Sequence, residues 1–218
     1  MTMKPDVLIV GPIYKPTLEA LDREFTTHKL WLATDRSALL ASCADRVRGI
    51  ATTGFHGADA ALIDALPKLE IISCFGVGYD AVDVEAAKRR KVIVTNTPGV
   101  LNDAVADLTI GLIIAAARRI PQGDRYVREG KWLREPQALA QQVSGKRLGI
   151  IGLGRIGMDI AKRALAFDMK IAYHSRQRVS GSPFMYYERL TDLAGSSDFL
   201  VAIVPGGDET YHLVNEEV

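Results

Sequence analysis

The sequence predicts an α/β protein of two doubly wound parallel-sheet domains. Three observations carry this. Short apolar runs alternate with helical patterns from residue 7 onward, a glycine triplet joins one such run to a helical pattern near residue 150, and 218 residues exceed one average domain. Strands covered by helices on both faces read as unbroken apolar runs rather than as alternating ones.

In the first part of the chain, strands are predicted at 7–10, 30–33, 49–52, 71–74 and 92–95, with helices at 16–25, 36–44, 57–65 and 83–90 between them. In such a sheet, ligands sit outside the carboxyl ends of the strands, so the loops after strands matter most. Two are suggestive: Thr53-Gly54-Phe55-His56-Gly57 and Phe75-Gly76-Val77-Gly78-Tyr79-Asp80. The glycines flanking Val77 either leave amides free to hold a carboxylate or simply turn the chain, and both readings stand. His56 has no carboxylate at an orienting position and is left unassigned.

Pro98-Gly99 punctuates the chain, which sets the expected domains at 1–99 and 100–218. Asn102 or Asp103 is expected to cap a long helix reaching about Arg119, with Val105, Leu108, Leu112 and Ile113 as its apolar face. The stretch 121–143 reads as polar and irregular, and its Trp132 needs cover, preferably from a neighbouring subunit.

The strongest signal is RLGIIGLGRIGMDIAKRAL, from Arg147 to Leu165. The strand 148–151 runs into Gly152, Gly154 and Gly157 at G-x-G-x-x-G spacing and then into a helix. In a dinucleotide site Gly152 permits the tight turn, Gly154 admits the pyrophosphate to the backbone, and Gly157 lets helix and strand pack closely. The helix N-terminus supplies amides and a positive dipole end. The same triplet also occurs as a purely structural crossover.

The next strand, 170–174, ends in His174-Ser175-Arg176-Gln177-Arg178. An NAD site places Asp or Glu here, about 20 residues past the first glycine, to accept from the ribose. Ser175 can instead donate to a 2′-phosphate and Arg176 or Arg178 can pair with it, which favours NADP over NAD; a solvated arginine edge is the other reading. A helix at 187–194, a strand at 199–204 and the start of a helix at 215–218 complete the pattern.

A formal net charge of +1, with no basic run interleaved with aromatics, argues against nucleic acid as a partner. The longest clean apolar stretch, 108–117, is far short of a membrane span, so a soluble, cytoplasmic protein is expected. Cys43 and Cys74 read as small buried hydrophobes, and the four histidines lack metal-ligand spacing.

Together, Phe75 to Asp80, Asn96-Thr97-Pro98-Gly99-Val100-Leu101, Val105-Ala106-Asp107, Gly130-Lys131-Trp132, GLGRIG, and Pro205-Gly206-Gly207 through Asn215 resemble the D-isomer-specific 2-hydroxyacid dehydrogenases. The likeness is greatest to their NADP-preferring glyoxylate/hydroxypyruvate reductase branch. The resemblance implies a flavodoxin-like substrate domain and a Rossmann dinucleotide-binding domain. It places the substrate carboxylate on the amides of Val77 and Gly78, with Phe55 and Phe75 near it. Gly152, Gly154, Arg155, Ile156 and Gly157 would meet the pyrophosphate, Ser175 and Arg176 the 2′-phosphate, Val204 and Pro205 the inner half of the cofactor, and Val105 the nicotinamide. Trp132 would lie in a homodimer arm.

The family's catalytic Arg, Glu and His would follow Val218, so the resemblance assigns no catalytic residue within these residues and implies a C-terminally incomplete chain. The activity it implies is NADPH-dependent reduction of small 2-oxo acids, hydroxypyruvate or glyoxylate, to D-2-hydroxy acids. Phosphoglycerate- or lactate-type dehydrogenases of the same family, or a non-catalytic NAD(P)-sensing protein, are the alternatives.

Overall fold

The computed structural model describes residues 4–218, which form two compact units. The first comprises the chain up to Val100 together with Pro205–Gly207, and the second comprises Leu101–Val204 with Asp208–Val218.

In the first unit the elements run β1 (Asp6–Ile9), α1 (Lys15–Glu24), β2 (Thr26–Lys29), α2 (Arg36–Cys43), β3 (Val47–Thr53), α3 (Ala60–Asp64), β4 (Ile71–Phe75), α4 (Val84–Arg89) and β5 (Ile93–Thr95). The strands pair in the order β2-β1-β3-β4-β5, all parallel, which is the flavodoxin-like arrangement. Leu8, Ile50 and Ile72 lie in register across the three central strands. They are buried in one layer with Ile63 and Leu66. Their neighbours Val7, Ile9 and Ala51 point the other way, against Leu18, Leu21, Phe25 and Trp31. Both faces of the sheet are thus covered, which is why these strands read as continuous apolar runs. Each such fully buried Leu or Ile contributes about 1.5–3 kcal/mol.

Three helices begin on an aspartate whose carboxylate accepts an N–H of the first turn: Asp35 from Ala38, Asp59 from Leu62 and Asp83 from Ala86. The strand expected at 30–33 lies earlier in the chain. β2 is the polar segment Thr26–Lys29, and Leu30–Leu32 form a 3₁₀ turn. The apolar residues there serve a turn that inserts Leu30 into the core, whereas an edge strand can be polar.

The second unit contains α5 (Asn102–Ala117), α6 (Ile120–Arg128), β6 (Arg147–Ile151), α7 (Arg155–Leu165), β7 (Lys170–His174), β8 (Met185–Tyr186), α8 (Leu190–Gly195) and β9 (Phe199–Ala202). Its parallel sheet runs β8-β7-β6-β9, the order of a Rossmann half. Here too the structure corrects several expectations. Leu101, not Asn102 or Asp103, precedes the first turn of α5, and it makes no side-chain cap. Asp103 and Asp107 instead bind Arg163 of α7, at 2.8 and 2.5 Å, and so tie α5 to α7.

The buried face of α5 is Ala106, Ile110, Ile113 and Ala117, whereas Leu108 and Leu112 are 63% and 60% exposed. Part of the stretch expected to be irregular is α6, and Lys131–Leu133 form a 3₁₀ turn. Residues 187–189 continue from β8 rather than opening a helix, since the Tyr187 N–H donates to the Tyr173 carbonyl. Residues 215–218 form a turn. Cys43 and Cys74 are buried and unpaired. Among the described residues, no helix is long and apolar enough to cross a membrane.

At the start of β6, Asp198 accepts the Arg147 backbone N–H at 2.8 Å and two guanidinium bonds at 3.1 Å. The guanidinium bonds, then the backbone one, hold the Asp198 carboxyl down at about 2, from an ordinary 3.8. A carboxylate depressed on folding gives stability that is complete above its unfolded pKa and is lost as pH falls through the folded one. Asp198→Asn should therefore flatten the fall of the urea midpoint between about pH 4 and pH 2, and an unchanged slope would show that the pair does not carry it.

Candidate functional site

In the first unit the loop after β4 is fixed from the end of β5. Asn96 Nδ2 donates to the Val77 carbonyl at 2.8 Å, the Thr97 N–H donates to the Gly76 carbonyl at 2.8 Å, and Gly76 N–H returns a bond to Thr97 Oγ1 at 3.1 Å. The Cys74 thiol donates to the Gly78 carbonyl at 3.3 Å. These bonds take up the carbonyls of 76, 77 and 78, and none of them uses the N–H of Val77 or Gly78. The loop after β3 lies directly against this one. A Cβ on Gly54 would stand 2.3 Å from the Gly78 oxygen, and one on Gly57, whose φ is +61°, would stand 1.9 Å from the Ala81 oxygen. Only glycine permits that approach.

His56, between these glycines, has Nδ1 2.8 Å from Thr53 Oγ1, and its ring covers Gly11 so closely that a Cβ there would stand 2.3 Å away. Phe55 and Phe75 are exposed.

In the second unit the glycine triplet closes the turn between β6 and α7. Gly152 has φ +96°, and a Cβ on it would meet the Ile203 oxygen at 2.6 Å and Val204 Cγ1 at 2.8 Å. A Cβ on Gly157 would stand 2.3 Å from the Gly152 oxygen. Gly154 differs: it is the N-cap of α7, and nothing lies within 4 Å of the space its Cβ would fill. That space opens onto the first turn of an 11-residue helix, beside exposed Arg155 and half-buried Ile156, so the residues present fit a bound pyrophosphate. The Gly152 N–H donates to the His174 carbonyl at 2.8 Å, which fixes the turn to the carboxyl end of β7.

The loop that leaves β7 is organised by tyrosines. Fully buried Tyr173 accepts the Val179 N–H on its hydroxyl at 2.9 Å, and Tyr186 donates to the Ser175 carbonyl at 3.3 Å. Ser175 donates its own hydroxyl to the Gln177 carbonyl at 2.6 Å, an engagement the sequence did not reveal. Arg176 is exposed and pairs through Nη1 with Glu209 at 2.8 Å. Glu209 was not singled out from the sequence, because partners 33 positions apart leave no local signal.

The predicted site residues therefore divide. Gly152 to Gly157, Ser175, Arg176, Val204 and Val105 belong to the second unit, while Val77 and Gly78 belong to the first, with which Pro205 also groups. Val105 is half-buried on α5, where its carbonyl accepts from Thr109. Trp132 sits on the 3₁₀ turn after α6 and is 60% exposed. Among the described residues no three His, Cys, Asp or Glu side chains come together as a metal site.

Residues 110–218 match the family described as D-isomer specific 2-hydroxyacid dehydrogenase, NAD binding domain. Across 97% of the chain, the sequence is 46% identical to a hydroxyphenylpyruvate reductase of Plectranthus scutellarioides and 43% identical to a glyoxylate/hydroxypyruvate reductase A of Arabidopsis thaliana. In both cases it spans 68% of the relative's length. An NADPH-dependent glyoxylate/hydroxypyruvate reductase from Sinorhizobium meliloti, solved in complex with NADP and malonate, superposes with a TM-score of 0.87 at 40% identity, over 98% of this chain and 66% of that one. The two parallel sheets, the glycine turn at the head of α7 and these likenesses agree, and the chain belongs to the D-isomer-specific 2-hydroxyacid dehydrogenase family.

Proposed function

We propose that this protein reduces small 2-oxo acids, hydroxypyruvate or glyoxylate, to D-2-hydroxy acids with NADPH. The observation that carries the cofactor choice is the end of β7, where Ser175 and Arg176 stand in place of the Asp or Glu that an NAD site uses. A carboxylate at that strand end would repel a 2′-phosphate, whereas a guanidinium pairs with it. The names of the Arabidopsis and Sinorhizobium relatives support the same substrate class.

On this reading residues 1–99 form the substrate domain and residues 100–218 the dinucleotide domain. The Val77 and Gly78 amides hold the substrate carboxylate, in a loop whose carbonyls Asn96, Thr97 and Cys74 already fix. Binding there orients C2, and orientation of this kind removes a large part of the barrier. The α7 N-terminus from Gly152 to Gly157 holds the pyrophosphate, Arg176 holds the 2′-phosphate, joined by the Ser175 hydroxyl once it releases the Gln177 carbonyl, and Val204, Pro205 and Val105 flank the nicotinamide half. When bound, the nicotinamide supplies the hydride; these residues bind and orient, and none of them is assigned to proton transfer.

Exposed Trp132, with Leu108 and Leu112 on α5, supports a homodimer in which a second copy covers these side chains. Buried, unpaired Cys43 and Cys74 suit a reducing compartment, and we place the protein in the cytoplasm.

Two glycine substitutions separate ligand binding from folding. Gly154→Ala should leave the Tm unchanged yet weaken NADPH and NADH alike by tenfold or more, on the order of 1.4 kcal/mol. Gly157→Ala should instead lower the Tm, because its Cβ meets the Gly152 oxygen. If Gly154→Ala binds both cofactors normally, the turn is structural only. Arg176→Ala should weaken NADPH far more than NADH in fluorescence titrations, and equal losses would refute the 2′-phosphate assignment. A panel of glyoxylate, hydroxypyruvate and 4-hydroxyphenylpyruvate with NADPH tests the substrate class. In a protein that carries the family's Arg, Glu and His beyond these residues, turnover of the first two supports the reading, turnover of the aromatic acid alone replaces it with the Plectranthus-type activity, and cofactor binding without any turnover favours a sensor.

A further inference from the structure

We propose that Glu209 sets how strongly the protein discriminates between NADPH and NADH, by competing with the 2′-phosphate for Arg176. The proposal rests on the reading of Arg176 as the partner of that phosphate.

Arg176 lies on the loop after β7, and Glu209 lies on the 3₁₀ turn Asp208–Thr210 after β9; both belong to the second unit. The Arg176 Nη1 to Glu209 Oε2 distance is 2.8 Å, and the two side chains are 86% and 77% exposed. The pair differs in kind from the structural ion pairs of the same unit. Asp198 receives three bonds from Arg147, one of them from backbone, and Arg163 spans two carboxylates on another helix. Arg176 engages Glu209 through one nitrogen, in water, where such a pair is weak and readily exchanged.

A phosphate dianion is the stronger partner. It carries more charge and offers several oxygens to the planar fork of a guanidinium, which can then bind through two nitrogens. With NADPH the guanidinium must leave the carboxylate or share it with the phosphate, and either way Glu209 opposes binding. With NADH there is no phosphate, and Glu209 remains on Arg176 to neutralise a charge that the cofactor does not use. Glu209 therefore narrows the gap between the two cofactors. The acid that an NAD-specific site carries at the end of its second strand is here brought in from the loop after β9, where it acts through the arginine.

The test is fluorescence titration of the full-length protein with NADPH and with NADH, for the wild type, Glu209→Gln, Arg176→Ala and the double variant. Glu209→Gln should tighten NADPH by up to about fivefold, the range expected for an exposed pair, and leave NADH unchanged. In the Arg176→Ala background the same change should have no effect. Equal shifts for both cofactors would overturn the proposal. So would a Glu209→Gln gain that persists without Arg176, since the carboxylate would then act on the phosphate directly. If Arg176→Ala weakens both cofactors alike, the 2′-phosphate reading itself falls; a selective Arg176→Ala loss with a silent Glu209→Gln defeats this proposal alone.

Discussion

The second unit depends on how closely α7 approaches the end of β6. A Cβ on Gly157 would stand 2.3 Å from the Gly152 oxygen, and Gly152 itself turns with φ +96° under Ile203 and Val204. The missing side chains let the helix start against the sheet, so that its unpaired N–H groups and its dipole face the carboxyl ends of the strands. The rest of the unit is arranged to keep that helix in place. Arg163 on its last turn binds Asp103 and Asp107 of α5, and Gly149 in the middle of β6 admits Ser197, Leu193 and Leu200 against the strand. Gly154 alone in the triplet has no packing task and leaves open space at the head of α7.

The first unit meets a related constraint. The loops after β3 and β4 touch backbone to backbone at Gly54 and Gly57, and the hydrogen bonds from Asn96, Thr97 and Cys74 fix the carbonyls of the second loop. A loop whose acceptors are already satisfied is poor at binding cations and good at presenting N–H groups to an anion. On the proposed reading both units use backbone amides, positioned by glycine, where a charged side chain would otherwise be needed. Such sites are rigid, because what fixes them is the sheet beneath rather than a flexible side chain.

On the same reading, side-chain charge enters where selectivity is decided. The loop after β7 is anchored by Tyr173 and Tyr186, and it presents Arg176 to solvent next to Glu209. The anchoring is buried and the charges are exposed. The loop can thus keep its conformation while its charge pairing exchanges.

The sequence by itself determined the fold class, the glycine turn and the family, because each is written in local spacing: apolar runs for strands covered on both faces, G-x-G-x-x-G for the crossover, and motifs that recur in order. It also carried the caps of three helices, since Asp35, Asp59 and Asp83 each stand just before a helix and cap it. Tertiary structure decided the rest. Leu30 to Leu32 looked like a strand but form a turn that buries Leu30 alone, while the polar segment Thr26–Lys29 became the strand by pairing with β1 at the sheet edge. Leu108 and Leu112 looked like core yet face outward, because α5 packs on α7 and turns Ala106, Ile110 and Ile113 into the core instead. Ser175 turned inward to Gln177, and Arg176 found Glu209 across 33 residues. Local periodicity records which residues can be buried, but the partner of a buried face or of a charge is chosen by which elements the fold brings together, and that choice has no signature in the neighbouring sequence.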